Sequence, residues 1–199
     1  MLFARKEGFI SEEINPEIEK VIYGKSYIEN LNIKISDLRY LKVKHCGFDG
    51  KDHIGELIIN KKLTEEILDI FEELYKLKYK IEKIKLIDYY ADDDESMKDN
   101  NSSCFCYRKV AVTGRLSYHA LGCAIDINPI QNPYIFKNKE HKQCIAPTGS
   151  EKYVNRNKKK LGMILINDVC YNTFVNRGWC WGGECLDDKL DYQHFEKKI

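Results

Sequence analysis

No apolar run in this chain approaches the roughly 18 residues that a helix needs to cross a bilayer, so no membrane span is expected. An excess of one charge is missing too. Lys and Arg number 32 against 31 Asp and Glu, which argues against a broad basic surface and so against non-specific nucleic-acid binding. The cluster Arg156-Asn157-Lys158-Lys159-Lys160 reads as a solvated loop face instead. Met1 to Gly8 carries charges where a signal peptide needs its apolar core, so no export signal is read and the chain is expected to be cytoplasmic as synthesised. No internal repeat is visible.

What is present suits a globular protein. Hydrophobic residues at 43% and charged residues at 32% are ordinary values, and 199 residues suffice for one domain with a substantial core. Cysteine is abundant, at 8 residues. Cys104-Phe105-Cys106 and Cys180 to Cys185 have neither the spacing of a zinc knuckle nor that of a redox pair. Free, mostly buried thiols are expected ahead of disulfides or a cysteine metal site.

Residues 1–37 are rich in lysine and glutamate and carry no motif. They read as an N-terminal extension with one or two helical turns, ahead of a domain over 38–199. Leu38 to Val43 alternates as a strand, Gly47-Phe48-Asp49-Gly50 turns, and Glu56 to Asn60 reads as its partner. Thr64 is the expected N-cap of a helix whose stripe is Ile67, Leu68, Phe71, Leu74, Tyr75 and Leu77. Lys83 to Tyr89 is expected as a strand. The polar stretch Ala91 to Ser103 reads as a solvated loop, because Asp92 to Glu95 lacks the glycine and terminal glutamate of a calcium loop. Cys123 to Asn128 is a short strand ended by Pro129, followed by a polar loop to about Lys160. Asp168 should cap a helix from Val169 to Asn176 closed by Gly178, and Tyr192 to Glu196 is the last strand. Strands mixed irregularly with a few helices predict an α+β domain on a mostly antiparallel sheet.

Chemistry concentrates in two segments, Ser117 to Asn128 and Asp191 to Phe195. In a strand from Cys123, residues Cys123, Ile125 and Ile127 share an apolar face, and Asp126 points to the other. Gly122 permits a turn that folds His119 back over that strand. His119, Asp126 and His194 then make a three-ligand set that a catalytic zinc accepts with one position left open. Asp191 is a candidate base toward water, provided it sits in the turn entering the last strand. Arg108 and Arg115 are candidate donors to a developing oxyanion.

The combination Ser117-x-His119, Asp126 and Asp191-x-x-His194 resembles the zinc peptidases of bacterial cell walls. These are the D-alanyl-D-alanine carboxypeptidase and L-alanyl-D-glutamate endopeptidase family, whose fold is shared with the Hedgehog signalling domain. The resemblance runs from about Tyr40 to Phe195 and is densest in Gly47–Gly50, Gly55–Asn60, Asp92–Arg108, Leu116–Pro133 and Gly178–Gly183. It implies one zinc per chain in a surface cleft, held by His119, Asp126 and His194, with Asp191 as the catalytic carboxylate and Arg108 on the substrate carbonyl. It places Ser117 two before the first ligand, in local hydrogen bonding or substrate contact. It implies a peptidoglycan or muropeptide substrate, met after release or export by another route. Aspartate at 191 favours the endopeptidase branch, with carboxypeptidase activity next and a non-catalytic zinc-containing binding module as the reading from another class. Cys185 stands where the family often has tryptophan, and Cys104 and Cys106 where it has small or polar residues. Trp181 is a candidate for lining the substrate groove, with packing as its alternative, as for Trp179. His45, His53 and His141 lie outside the matched motifs and are expected to be surface or structural residues.

Overall fold

Alternation along the second strand organises the molecule. In the computed structural model, which describes residues 7–110, 114–138, 140–184 and 189–199, β1 (Phe9–Glu13), β2 (Leu38–Cys46) and β3 (Asp52–Asn60) form an antiparallel meander. Leu41 pairs with Leu57, and Val43 with Gly55. Leu41, Val43, Leu57 and Ile59 pack against Ile67, Leu68, Ile70, Phe71 and Leu74 of α2 (Thr64–Lys76). Leu38, Tyr40 and Ile58 face the other way, onto Ile22, Tyr27 and Ile33. A strand buried on both faces needs apolar residues at successive positions, as Tyr40-Leu41 and Leu57-Ile58-Ile59 provide.

The segment before Leu38 thus packs into the fold. Its helix α1 (Pro16–Ile22) is capped by Asn15, whose side chain accepts from the Glu17 and Ile18 N–H groups, and Pro16 opens it. β1 was not foreseen, because a strand reading Phe-Ile-Ser-Glu-Glu takes its order from the edge of β2 and little from its own pattern.

Other expectations need correction. Leu63 holds the cap position of α2 and Thr64 is its first residue; the chain enters through a turn at Lys61–Leu63 capped by Asn60. Leu77 lies just past the helix and is exposed. Only β4 (Lys83–Ile84) of the expected 83–89 strand forms, parallel to β5 (Asn101–Ser102). It stops because the Asn101 side chain takes over both backbone groups of Lys85, at 2.8 and 3.0 Å. The acidic run is helical, not a loop: Asp92 caps α3 (Asp93–Lys98) by accepting from the Glu95 N–H at 2.8 Å.

The C-terminal half supplies two more antiparallel sheets. One joins β6 (Ala124–Asp126), β11 (His194–Glu196) and β9 (Cys180–Trp181) in the order β6-β11-β9. The other joins β7 (Tyr134–Lys137), β8 (Gln143–Ala146) and β10 (Leu190–Asp191) in the order β10-β7-β8; its hairpin lies in what had been read as loop. Asp168 caps α4 (Val169–Val175) as expected, accepting from the Tyr171 N–H, and Gly178 follows with φ of +80°. Phe174 stacks on Phe195 at 4.1 Å between ring centres, joining α4 to β11. The seven described cysteines are unpaired, four of them buried; Cys185 lies outside the described residues. No described helix is long and apolar enough to cross a membrane.

Candidate metal centre

The register of β11 on β6 sets His194 directly opposite Asp126. Cross-strand partners point to one face, so the imidazole and the carboxylate meet. His119 arrives from a tight turn at Tyr118–Leu121. Ser117 starts that turn, its Oγ accepting from the His119 N–H at 3.2 Å, and Gly122 ends it with φ of +63°. A Cβ at 122 would also lie 2.6 Å from the Asn60 nitrogen, so glycine is required there twice over.

The three side chains converge. His194 Nδ1 is 3.0 Å from Asp126 Oδ1, His119 Nε2 is 3.3 Å from Asp126 Oδ2, and the two ring nitrogens are 3.1 Å apart. Among the described residues this is the only group of three or more His, Cys, Asp or Glu side chains placed to hold a metal ion. The outer nitrogens decide what those contacts mean. His119 Nδ1 bonds the Cys104 carbonyl, and His194 Nε2 lies 3.0 Å from Glu196 Oε2. Both partners only accept, so the outer nitrogens keep their protons, and with an ion in place the inner ones are left to present lone pairs.

Lone pairs from two imidazoles and a carboxylate therefore meet in a buried space that demands positive charge. Without an ion the imidazoles supply that charge. Burial opposes it at His194, but Asp126 and Glu196 raise its pKa well above the ordinary value. The two histidines in turn hold the buried Asp126 carboxyl, whose ionisation burial opposes, well below the usual carboxylate range. A proton would satisfy one edge of this triangle, whereas an ion at its centre satisfies all three. Zinc bonds of about 2.0–2.1 Å give tetrahedral edges of about 3.3 Å. The donor set and its spacing fit zinc, and the Cys104 carbonyl and Glu196 are the outer partners such ligands need.

Asp191 is the last residue of β10, immediately before the Tyr192-Gln193 turn and not within it. Its Oδ1 is buried without a hydrogen-bond partner. Burial pushes the carboxyl up to about 7, with His194 opposing and Asp126 adding to the rise. Gly182 makes this position reachable, since a Cβ there would stand 2.5 Å from the Asp191 carbonyl oxygen and 2.9 Å from its Cβ.

Arg108 is half-buried and pairs with Asp93 at 3.1 Å. Burial disfavours its charge, but Asp93, Asp126 and Asp191 more than compensate. The segment that carries it is fixed beside the site, because the Arg108 carbonyl accepts from the Ser117 N–H at 3.1 Å and Ser103 exchanges backbone bonds with Asp126. Asp93 and Glu196 are absent from the residues expected at the site; the sequence signals only a helix start at Asp93 and a shared strand face for Glu196. Asp92 and Glu95 have the spacing of a capping box, and Glu196 shares a strand face with His194.

Trp181 is not placed to line a groove. It is 4% exposed, its indole N–H donates to the Tyr192 carbonyl at 2.9 Å, and it packs on Tyr171, Tyr192 and Phe195. Aromatic bulk beside two glycines here fills the core behind Asp191. His45 and His53 are cross-strand partners with stacked rings, far from the metal group in the chain's topology, and His141 is exposed in the β7–β8 turn.

Residues 111–197 match the family model described as D-alanyl-D-alanine carboxypeptidase. The matched segment is less than half of the chain. It contains His119, Asp126, Asp191 and His194 but not Arg108 or Asp93. No curated protein and no solved structure matches the chain. The family match makes the chain a peptidase, a hydrolase of amide bonds, and zinc dependence is typical of that family. At this coarse level the likeness is to the zinc peptidases that act on peptidoglycan.

Proposed function

We propose that the chain is a zinc metallopeptidase cutting an amide bond in the peptidoglycan stem peptide, of the L-alanyl-D-glutamate endopeptidase type. The observation that carries this reading is the convergence of His119, Asp126 and His194, with outer acceptors on both imidazoles and a buried Asp191, its Oδ1 without a hydrogen-bond partner, in electrostatic reach of all three. His119, Asp126 and His194 would hold one zinc ion, which would supply a Lewis acid for the scissile carbonyl and for water. Asp191 takes the proton of the attacking water and returns it to the leaving amine. Arg108 donates to the carbonyl oxygen as it gains charge. Glu196 and the Cys104 carbonyl hold the two imidazoles in the tautomer that faces inward.

Aspartate at 191 favours the endopeptidase reading through the resemblance. The description of the matching family favours the second reading, a D-alanyl-D-alanine carboxypeptidase. A binding module has no need of Asp191 and Arg108 together.

Incubation of the zinc-loaded protein with soluble muropeptides, with products identified by mass, separates these readings. Cleavage between L-alanine and D-glutamate is expected. Release of terminal D-alanine would replace the endopeptidase reading with the second one, and no cleavage of any stem peptide would favour the module.

A further inference from the structure

The β7–β8 hairpin continues the site sideways. In the β10-β7-β8 sheet Asp191 pairs with Tyr134, and Tyr134 pairs with Ala146. Directly opposed residues of antiparallel strands project to the same face, so Asp191, Tyr134 and Ala146 form one row across three strands. Phe136 and Cys144 form the next row on that face. The Tyr134 and Phe136 rings stack at 4.7 Å with 16° between their planes.

Asp191, three residues before the ligand His194, heads this row, and the electrostatics agree with the direction it gives. The Tyr134 phenol is made less acidic by burial and by the charge of Asp191, and Arg108 pulls in the other direction, so its ring lies within reach of both. Asp191 in turn interacts with His194, Asp126, His119 and Arg108. The face bearing Tyr134 is therefore the one that meets the metal group. Tyr134, Phe136, Cys144 and Ala146 are all half-exposed, which leaves their surfaces able to touch a ligand.

Neighbouring strands are about 4.8 Å apart, so a peptide held with its scissile carbonyl near Asp191 meets the Tyr134 ring one residue's width away. The next side chain in the row is the methyl of Ala146. We propose that this hairpin face is the substrate's lateral wall, with Tyr134 the specificity-determining residue that packs against a small alkyl side chain flanking the cut bond. Beyond Asp191 the wall is Tyr134, Phe136, Cys144 and Ala146, an uncharged surface that suits an alanyl methyl better than a carboxylate-bearing residue. The inference rests on the peptidase reading above and deepens it by naming what lies on one side of the bond.

The test uses full-length, zinc-loaded protein and stem-peptide analogues carrying alanine or leucine at the flanking position. Wild type should prefer alanine. Tyr134→Ala should raise KM for the alanyl substrate and shrink that preference about tenfold, as for loss of a hydrophobic contact, with zinc content unchanged. Tyr134→Phe keeps the ring and should keep the preference. Unchanged KM and preference in Tyr134→Ala, with wild type active, would overturn the wall and leave the peptidase standing. Calorimetric binding of the same peptides is read in parallel. If wild type binds without cleaving, the preference is scored from affinity, and if it neither binds nor cleaves any stem peptide, both readings fall.

Discussion

Glu196 Oε2 stands 3.0 Å from His194 Nε2, on the side of the ring away from Asp126, and so determines which nitrogen carries the proton. Without that acceptor the imidazole is free to exchange tautomers and to rotate. Glu196→Ala should therefore weaken zinc binding by about tenfold, at the low end for outer partners because the side chain is partly exposed and water can substitute. Competition against a chelator measures this directly. His119→Ala, which deletes a ligand, should lose far more. Equal affinity in Glu196→Ala and wild type would show that the tautomer is set by something else.

Asp191 has the opposite signature. It is not one of the three converging ligands, and its Oδ1 has no protein partner. Asp191→Ala should retain stoichiometric zinc while kcat falls by about 10²- to 10⁴-fold, the range for loss of a general base. Metal analysis and turnover on the same sample check both halves. Near-full activity would remove Asp191 from the mechanism.

Gly182 touches the same chemistry through packing. An alanine methyl there meets the Asp191 carbonyl oxygen at 2.5 Å, which real contacts do not allow, so β10 must shift. Gly182→Ala should lower kcat more than tenfold, because a displaced base loses its geometry. It should also cost about 1–3 kcal/mol of stability from overpacking. Zinc content should not change, since the ligands stand on β6, β11 and the Tyr118–Leu121 turn and none on β10. An active variant would mean that the turn relaxes without moving Asp191.

These three residues also show how far the sequence could be read. His119 with Asp126, and Asp191 with His194, were legible because each pair is local. A strand period and one glycine suffice to aim them, and the β2–β3 pair of the N-terminal half follows from comparably strong apolar patterning, whereas β1 does not. Asp93 was not legible as a site residue, because its link to Arg108 is a tertiary contact between a helix start and a separate extended segment. The Cys104 carbonyl is a backbone group and leaves no trace in residue identity. The β7–β8 hairpin was read as loop because its strands are four residues each and half-exposed, with much of their order coming from pairing with each other and with β10. Trp181 misled for a related reason: an aromatic residue beside glycines is compatible with a groove or a core, and only the packing on Phe195 decides.

His45 gives a pH prediction independent of the metal group. It is 4% exposed, and burial together with the neighbouring His53 lowers its pKa to about 4. His53 itself lies 3.0 Å from Asp49, the carboxylate whose charge opposes the lowering at His45. An unfolded histidine titrates near 6.5. Between those values the unfolded chain binds a proton that the folded chain refuses, so stability is full above about pH 6.5 and falls as the pH drops toward 4. The slope is about 1.4 kcal/mol per pH unit, or about 2 kcal/mol between pH 6.5 and 5. His45→Phe preserves a ring against His53 and removes the titration. Urea unfolding at pH 7 and pH 5 should show the variant losing about 2 kcal/mol less than wild type over that interval. If both proteins lose the same stability, His45 is protonated in the folded state and its burial does not exclude the charge.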